Sequence, residues 1–333
     1  MKFRKIISAV SAAALMLSLC SCEKKAEADI FAMDTVMTLR VYGNNANTAI
    51  KLAEDKIKEL DRLLSVTDES SDIGRINSET DAVSVSADTE KLILRAKNIS
   101  ALTDGAFDIT LRPVSKLWGF TDKAPRVPSD DEIRAALEKR GIDRIEITDE
   151  KVSFDGEIDV GGIAKGYAAS LIRSIFTENG IDHAVVSLGG NVMLCGGRPD
   201  GAPWNVGIAH PEKEGDIIGF LTAADTAVVT SGGYERFFTQ DGKSYHHIID
   251  PDTGYPAQSG IISATVISKD DALADALSTA LFVMGSEKAE RFWRETDGFD
   301  MILITEKEIL ITDGIFESFE LQDKNFKVTK IGK

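Results

Sequence analysis

Three glycine-rich turns place the strongest limits on how this chain folds. They lie in the segments 157–172 (EIDVGGIAKGYAASLI), 186–194 (VSLGGNVML) and 230–238 (TSGGYERFF), and each adjoins an apolar run. Glycine lets the backbone adopt conformations and close approaches that other residues resist. A single turn of this kind needs no more than a tight connection between elements. Three of them together favour a site for a large phosphorylated ligand.

The first turn combines glycines with a lysine. Gly161, Gly162 and Gly166 allow close approach, and Lys165 supplies a positive charge near a helix N-terminus, whose amides attract anions. The spacing matches neither the P-loop nor the dinucleotide-binding fingerprint. Taken alone, the segment therefore favours a structural turn over a phosphate site.

Periodic patterns along the chain predict the fold class. Residues 35–43 (TVMTLRVYG) alternate like a strand, 47–64 carry apolar residues at helical spacing, and 300–314 (DMILITEKEILITDG) are typical of a hairpin. Further helices are predicted at about 88–102, from about Asp131 after a Ser129 or Asp130 cap, and over 270–285. The sequence contains no internal repeat and no clean linker. These patterns predict an α+β fold of mixed, largely antiparallel sheets with packed helices, in one unit.

The N-terminus is predicted to be a targeting segment rather than part of the fold. Basic residues precede an apolar run, Ile6 to Leu19, which is too short for a permanent membrane span. Small residues lead up to Cys22, which resembles a bacterial lipidation site, whereas Cys20 follows the bulky Leu19. We therefore expect a signal peptide over 1–21, a lipidated Cys22, a tether over 22–29 and one catalytic domain over 30–333. The alternative is plain secretion with cleavage elsewhere.

Charge and cysteine content exclude several classes of protein. The 333-residue chain has a net charge of −16, and loss of the three basic residues within 1–21 leaves a 312-residue chain at −19. No stripe of basic residues remains to neutralise the phosphates of a nucleic acid, so a nucleic-acid-binding protein is excluded. Cys195 would be the only cysteine besides the lipid-bearing one, so an intramolecular disulfide framework is excluded. Its apolar surroundings favour a small buried residue over a nucleophile.

Two further patterns suggest chemistry. In the segment 244–257 (SYHHIIDPDTGYPA), His246 and His247 are adjacent, so in a strand only one of them faces a given site. Asp275 and Thr279 lie four residues apart on one predicted helix face. A carboxylate with a hydroxyl oxygen suits Mg²⁺. The alternatives are a structured turn with an incidental histidine pair, and a Thr279 hydroxyl bonded back to the Asp275 carbonyl.

Together and in this order, these segments resemble the ApbE family of FAD:protein FMN transferases. The resemblance rests on FAMDTVMTLRVYG, GAFDITLRPVSKLWGF, IDVGGIAKGY, SLGGN, WNVGIAHP, TSGGYERFF, YHHIIDPDTG and ADALSTALFVMG, which span nearly the whole mature chain. It implies a T-fold-like catalytic unit. It also implies Mg²⁺-dependent transfer of FMN from FAD to a threonine of an acceptor protein through a phosphoester bond, with release of AMP.

The resemblance also implies roles for individual residues. Asp275, Thr279 and the main-chain carbonyl of Gly162 would hold the metal ion, and His247 would help to deprotonate the acceptor threonine. FAD would be contacted around Met33, Ala106, Phe107, Asp108, Asp159, Lys165 and Ile249. The acceptor would be a flavoprotein subunit of a redox pump or an extracytoplasmic electron-transfer protein. The enzyme would then lie outside the cytoplasm, anchored to the membrane through Cys22.

The chain departs from the family pattern in two places. Asp34 follows Met33, where a glycine is common, and we give this little weight. Thr67 lies where relatives commonly have an aromatic residue, and its absence would admit water to the flavin site. Hydrolysis of FAD to FMN and AMP in the same site is therefore the first alternative function. The second is a flavin-binding or solute-binding lipoprotein without catalysis, although binding alone requires neither the metal ligands nor His247.

Overall fold

The computed structural model of the chain describes residues 24–120 and 124–333. The predicted signal peptide at 1–21 and the predicted lipidation site Cys22 lie outside these residues. Within them, no helix is both long and apolar enough to span a membrane.

Seventeen strands are present in the described residues, numbered here in chain order. They are β1 (Lys25–Ala32), β2 (Thr35–Tyr42), β3 (Val83–Ser84), β4 (Glu146–Thr148), β5 (Lys151–Ser153), β6 (His183–Leu188), β7 (Asn191–Cys195), β8 (Trp204–Ala209), β9 (Ile217–Ala223), β10 (Ala227–Gly232), β11 (Phe237–Gln240), β12 (Lys243–His246), β13 (Ile261–Ser268), β14 (Phe299–Thr305), β15 (Glu308–Thr312), β16 (Phe319–Leu321) and β17 (Lys327–Ile331).

Seven α-helices accompany the strands in the same part of the chain. They are α1 (Ala46–Leu64), α2 (Asp72–Ser78), α3 (Ala87–Leu102), α4 (Arg112–Trp118), α5 (Asp130–Leu137), α6 (Gly161–Glu178) and α7 (Asp271–Glu295). Short 3₁₀ turns occur at Ile142–Arg144 and Phe316–Ser318.

A nine-stranded sheet forms the centre of the molecule. Its strand order is β1-β2-β6-β7-β10-β13-β14-β15-β17, and every neighbouring pair is antiparallel except β15 and β17. Helices α1, α3, α6 and α7 contribute to the larger hydrophobic core on one face, whereas β8 and β9 contribute to a second core on the other. Residues on β14 are buried on both faces, which explains the nearly continuous apolar run of that strand. The predicted α+β class with largely antiparallel sheets is confirmed.

Local sequence accounts for several elements. On α1, Ala49, Ala53, Ile57, Leu60 and Leu64 recur at helical spacing and are buried against the core. Helix α5 begins with a complete capping box between Ser129 and Glu132. The hairpin predicted at 300–314 forms as β14 and β15.

The structure corrects the predicted tether. Residues 25–29 are the first part of β1, and they pair with β2 from Lys25 opposite Tyr42 to Ala32 opposite Thr35. The polar composition of this segment is that of a sheet edge with one solvent-facing side. Glu27 and Arg40, for example, form a cross-strand ion pair there. The folded domain therefore begins at least five residues earlier than expected.

Candidate active site

The first and third glycine turns meet at helix α7, which carries Asp275 and Thr279. A methyl group added to Gly162, at the start of α6, would lie 3.8 Å from Thr279 Oγ1 on α7 and 3.2 Å from the ring of Phe107. Ser231, in the third glycine turn, places its Oγ 3.3 Å from Thr279 Oγ1. Segments more than a hundred residues apart in sequence thus share one site.

Asp275 is the buried carboxylate of this site. It is 4% exposed, and its Oδ2 accepts a 2.8 Å hydrogen bond from Gly166 N. Burial is the largest effect and raises the pKa of the Asp275 carboxyl, and the charge of Lys165, the Gly166 N–H group and the Asn191 amide offset part of this rise. A carboxylate must be deprotonated to bind a metal ion, so these neighbours favour the form that binds.

A chain of hydroxyl groups orients Thr279. Ser278 Oγ donates to the Asp275 carbonyl at 2.7 Å, and Ser231 Oγ lies 2.7 Å from Ser278 Oγ. A carbonyl oxygen can only accept a hydrogen bond, so the single hydroxyl proton of Ser278 is donated to the Asp275 carbonyl. In its bond with Ser231, Ser278 Oγ must therefore be the acceptor. Ser231 must in turn accept from Thr279. The Thr279 hydroxyl therefore directs its proton toward Ser231, which leaves oxygen lone pairs available for a cation. Ser278, not Thr279, makes the bond back to the Asp275 carbonyl.

Lys165 supplies positive charge to the same region. It makes no ion pair within 4.0 Å in the described part of the chain, yet its charge lowers the pKa of Asp275, Glu235 and His247. Glu235 is solvent-exposed as a whole residue, but desolvation by the surrounding protein raises the pKa of its carboxyl. A lysine that faces acidic groups without a fixed partner is available to an anionic ligand.

His247 is presented by the segment that follows β12. Its Nδ1 lies 3.2 Å from the Arg236 carbonyl oxygen, which can only accept a hydrogen bond. Nδ1 therefore carries the proton, and Nε2 keeps its lone pair. Burial, followed by the nearby Arg236 charge, lowers the pKa of His247 to about 4. The imidazole is thus neutral and able to accept a proton at neutral pH.

His246 points away from His247. Its Nε2 lies 3.0 Å from the Ala257 carbonyl oxygen, and its ring packs edge-on against Phe282 with the ring centroids 5.2 Å apart. The two neighbouring histidines therefore have different environments, as the alternation of a strand predicts.

Among the predicted FAD contacts, Phe107 and Asp159 lie next to the start of α6. Phe107 faces Gly162, and Asp159 Oδ1 accepts from Gly161 N at 2.8 Å. Lys165 follows one turn later. These three residues are brought together with the predicted metal ligands.

The contacts of the other predicted FAD residues belong to the surrounding fold. Asp108 is ion-paired with Arg140 at 3.2 Å, and burial raises the pKa of its carboxyl. Met33 N donates to Asp61 Oδ1 in the β1–β2 turn. Ala106 is half-buried against the main core, and Ile249 belongs to a small core around Trp118.

Residue patterns alone did not identify every polar group of the site. Ser231, Ser278 and Glu235 were not predicted, although Ser231 and Glu235 lie within the third glycine motif. Their roles depend on the side chains that they contact in the folded protein, and the spacing of residues along the chain does not reveal these contacts. Cys195 behaves as predicted, because burial raises the pKa of its thiol to about 11 and keeps it protonated.

The donor set fits Mg²⁺. The described residues contain no cluster of three or more His, Cys, Asp or Glu side chains that would hold a metal ion by themselves. One buried carboxylate, one hydroxyl with free lone pairs and a nearby glycine backbone are all oxygen donors. Mg²⁺ prefers oxygen donors and usually completes its shell with water and substrate phosphates.

Gly166 lies in a close contact between α6 and α7, and we expect Gly166→Ala to destabilise the protein. A methyl group there would lie 2.4 Å from the Asp271 carbonyl oxygen and 2.6 Å from Asp275 Cβ, neither of which can move without shifting α7. The expected loss is about 3 kcal/mol in the free energy of unfolding, measured with urea. Gly161→Ala is the matched control, because Gly161 is exposed and meets only the Asp159 side chain, at 3.0 Å. Equal stability of the two variants would contradict this account of the contact.

The lowered pKa of His247 predicts an unusual titration. A histidine with an ordinary pKa near 6.5 would gain its proton between pH 7.5 and 5.5, whereas His247 should stay neutral until the pH approaches about 4. In metal-free protein, its NMR ring signal, assigned with His247→Gln, should not move between pH 8 and 5.5. A midpoint near 6.5 would show that the ring is solvated.

Comparisons with known proteins show the family to which the chain is related. A model described as the ApbE family matches residues 33–303. The chain is 33% identical over 292 residues to a protein from Vibrio cholerae named FAD:protein FMN transferase, covering 83% of this chain and 87% of the relative. A Klebsiella pneumoniae protein of the same name is 33% identical, covering 89% of this chain and 94% of the relative. The crystal structure of an ApbE protein from Thermotoga maritima superposes with a TM-score of 0.82 at 36% identity, covering 89% and 99% of the two chains.

Proposed function

The chain belongs to the ApbE family, and on that premise we propose that it is an FAD:protein FMN transferase that moves FMN from FAD to a threonine hydroxyl of an acceptor protein. In this reaction a phosphoester bond forms between the threonine oxygen and the FMN phosphorus. The pyrophosphate bond of FAD breaks, and AMP leaves. The observation that carries the proposal is the convergence of Gly162, Asp275 and Thr279 from separate segments, with Lys165 beside them.

Each residue has a task that its surroundings support. Asp275, Thr279 and the Gly162 carbonyl would hold Mg²⁺, which would supply positive charge to neutralise the pyrophosphate and stabilise the leaving AMP. Lys165, which has no ion-pair partner in the part of the chain that the structure describes, binds the phosphates. Phe107 and Asp159 border the start of α6 and bind FAD.

His247 acts on the acceptor. A threonine hydroxyl is a weak nucleophile, so a positioned base increases its reactivity. His247 Nε2 carries the lone pair and accepts the hydroxyl proton as the threonine oxygen attacks phosphorus. The ring is neutral at pH 7, because burial and the Arg236 charge lower its pKa. The proton then passes to the departing AMP or to solvent.

Hydrolysis of FAD is the second candidate function. Thr67 is exposed, and the only side chain to which its hydroxyl is hydrogen-bonded in the described structure is Ser65, whose Oγ lies 3.2 Å away. No aromatic side chain therefore covers the site from this position. If water reaches the phosphorus in place of the acceptor, the products are FMN and AMP.

We also propose where the enzyme acts. The predicted signal peptide and Cys22 support a lipid anchor at the outer side of the cytoplasmic membrane. The acceptor is then an extracytoplasmic electron-transfer protein or a redox-pump subunit with an exposed threonine.

One assay tests these functions. The purified soluble chain is mixed with FAD, Mg²⁺ and the flavin-free domain of an extracytoplasmic electron-transfer protein. We expect AMP release, together with flavin fluorescence that stays on the acceptor during denaturing electrophoresis. AMP without labelled acceptor would favour hydrolysis. Bound FAD with neither product would overturn both catalytic functions.

A further inference from the structure

Asn191 occupies a rigid position beside the candidate metal site. It is the first residue of β7 and follows the turn at Gly189 and Gly190, whose φ angles are +60° and +95°. A methyl group on Gly189 would lie 2.4 Å from Thr35 Oγ1, so β2 packs directly against this turn. The backbone of Asn191 is therefore fixed by this turn and by its pairing with Leu188 on β6.

The Asn191 side chain is buried with an unused donor. The residue is 5% exposed, and its Nδ2 has no hydrogen-bond partner among residues 24–120 and 124–333. The gap that Asn191 shares with Gly166 and Asp271 is too narrow for a water molecule. A buried donor without a partner destabilises the fold, and an apolar side chain of similar size would not incur this cost.

The neighbour of this amide is the Asp275 carboxylate. Asn191 and Gly166 line the same gap, and Gly166 N bonds to Asp275 Oδ2, so the Asn191 amide lies beside this carboxylate without forming a hydrogen bond of normal distance and angle among the described residues. Gly166 N already bonds to Asp275 Oδ2 from the other helix. One more donor would complete the set that holds this carboxylate in a single orientation.

We propose that Asn191 is a positioning residue for the metal site: when the cation binds, its amide donates to the Asp275 carboxylate and fixes the ligating oxygen toward the metal. Carboxylates that bind metals are commonly held by hydrogen bonds of this kind. The inference rests on the metal site of the proposed function. It goes further by assigning a role to a residue that touches neither FAD nor the metal.

The proposal predicts opposite effects on stability and metal binding. Asn191→Leu removes the donor at nearly constant volume, so the melting temperature in EDTA should stay the same or rise. Mn²⁺, an oxygen-binding substitute for Mg²⁺, should bind about 10–100-fold more weakly in the absence of FAD. The rise in melting temperature that Mn²⁺ causes should shrink accordingly. FAD binding without metal should stay unchanged.

Ser263→Ala is the matched control, because Ser263 Oγ is also buried without a hydrogen-bond partner of normal geometry among the described residues, but it neighbours the Tyr234 hydroxyl rather than Asp275. Its Mn²⁺ affinity should equal that of the wild type. Asn191→Ala serves as a second variant if leucine prevents folding. A dissociation constant for Mn²⁺ within threefold of wild type in the Asn191 variants would overturn the proposal. So would a lower melting temperature in EDTA with unchanged Mn²⁺ affinity, which marks a purely structural residue. Wild-type protein that binds no Mn²⁺ would instead overturn the metal site itself.

Discussion

His247→Ala is expected to slow flavin transfer by about 10²–10⁴-fold, the usual contribution of a general base. The dissociation constant for FAD should change by less than about threefold, because the ring acts on the acceptor hydroxyl rather than on FAD. Transfer is followed as in-gel flavin fluorescence on the acceptor, and FAD binding by fluorescence quenching without acceptor. The expected signature is a loss in kcat with little change in affinity.

His183 offers a control with similar local geometry. Its Nδ1 lies 2.8 Å from the Gly197 carbonyl oxygen, much as His247 Nδ1 lies near that of Arg236, but it belongs to β6. His183→Ala should transfer flavin at close to the wild-type rate. Equal losses of transfer and FAD binding in His247→Ala would show that His247 supports the binding site rather than the proton transfer.

Asp275→Asn should abolish the metal response. Replacing the buried carboxylate with its neutral isostere removes the only charged metal ligand that we propose. The rate should fall by about 10³-fold, because a metal ion typically supplies several kcal/mol of charge stabilisation. The metal-free protein should not lose stability, since burial already disfavours the charged form of Asp275. Mn²⁺ titration and thermal melts with and without metal measure both effects.

The corresponding substitution at Asp271, on the same helix, should lower stability and leave metal binding intact. Asp271 is 2% exposed and accepts hydrogen bonds from Arg173 Nε at 2.9 Å and Nη2 at 2.8 Å. Asp271→Asn weakens a buried ion pair and should lower the melting temperature while the metal affinity is retained. If both variants lost stability and neither lost metal affinity, Asp275 would be a structural residue.

Elements with strong local signals were predictable from sequence. The apolar spacing of α1 and the capping residue Ser129 of α5 act within a few residues, so the pattern alone was sufficient. Helix α2 was missed inside an acidic stretch that is typical of loops. Its order comes from Asp72, which is buried and accepts from Ser86 N at 2.8 Å and Thr89 Oγ1 at 2.7 Å. Such tertiary hydrogen bonds leave no periodic pattern in the sequence.

The site was predictable only in pieces. The spacing of Asp275 and Thr279 indicated one helix face, but only the family resemblance linked them to Gly162. The direction of the Thr279 hydroxyl proton could not be predicted, because it depends on Ser231, which contacts helix α7 from strand β10. The unused Asn191 amide likewise becomes visible only when burial and neighbours are known.

The close contact at Gly166 has a consequence for how the site holds its shape. Three of the first six residues of α6 are glycines, and each lowers intrinsic helix stability by about 1 kcal/mol relative to alanine. This end of α6 is consequently a weak helix by itself and depends on packing against α7 for its order. A local opening that separates α6 from α7 would pull the candidate metal ligands apart while the nine-stranded sheet stays folded. Catalytic activity would then be lost at a lower temperature or denaturant concentration than the one that unfolds the whole protein.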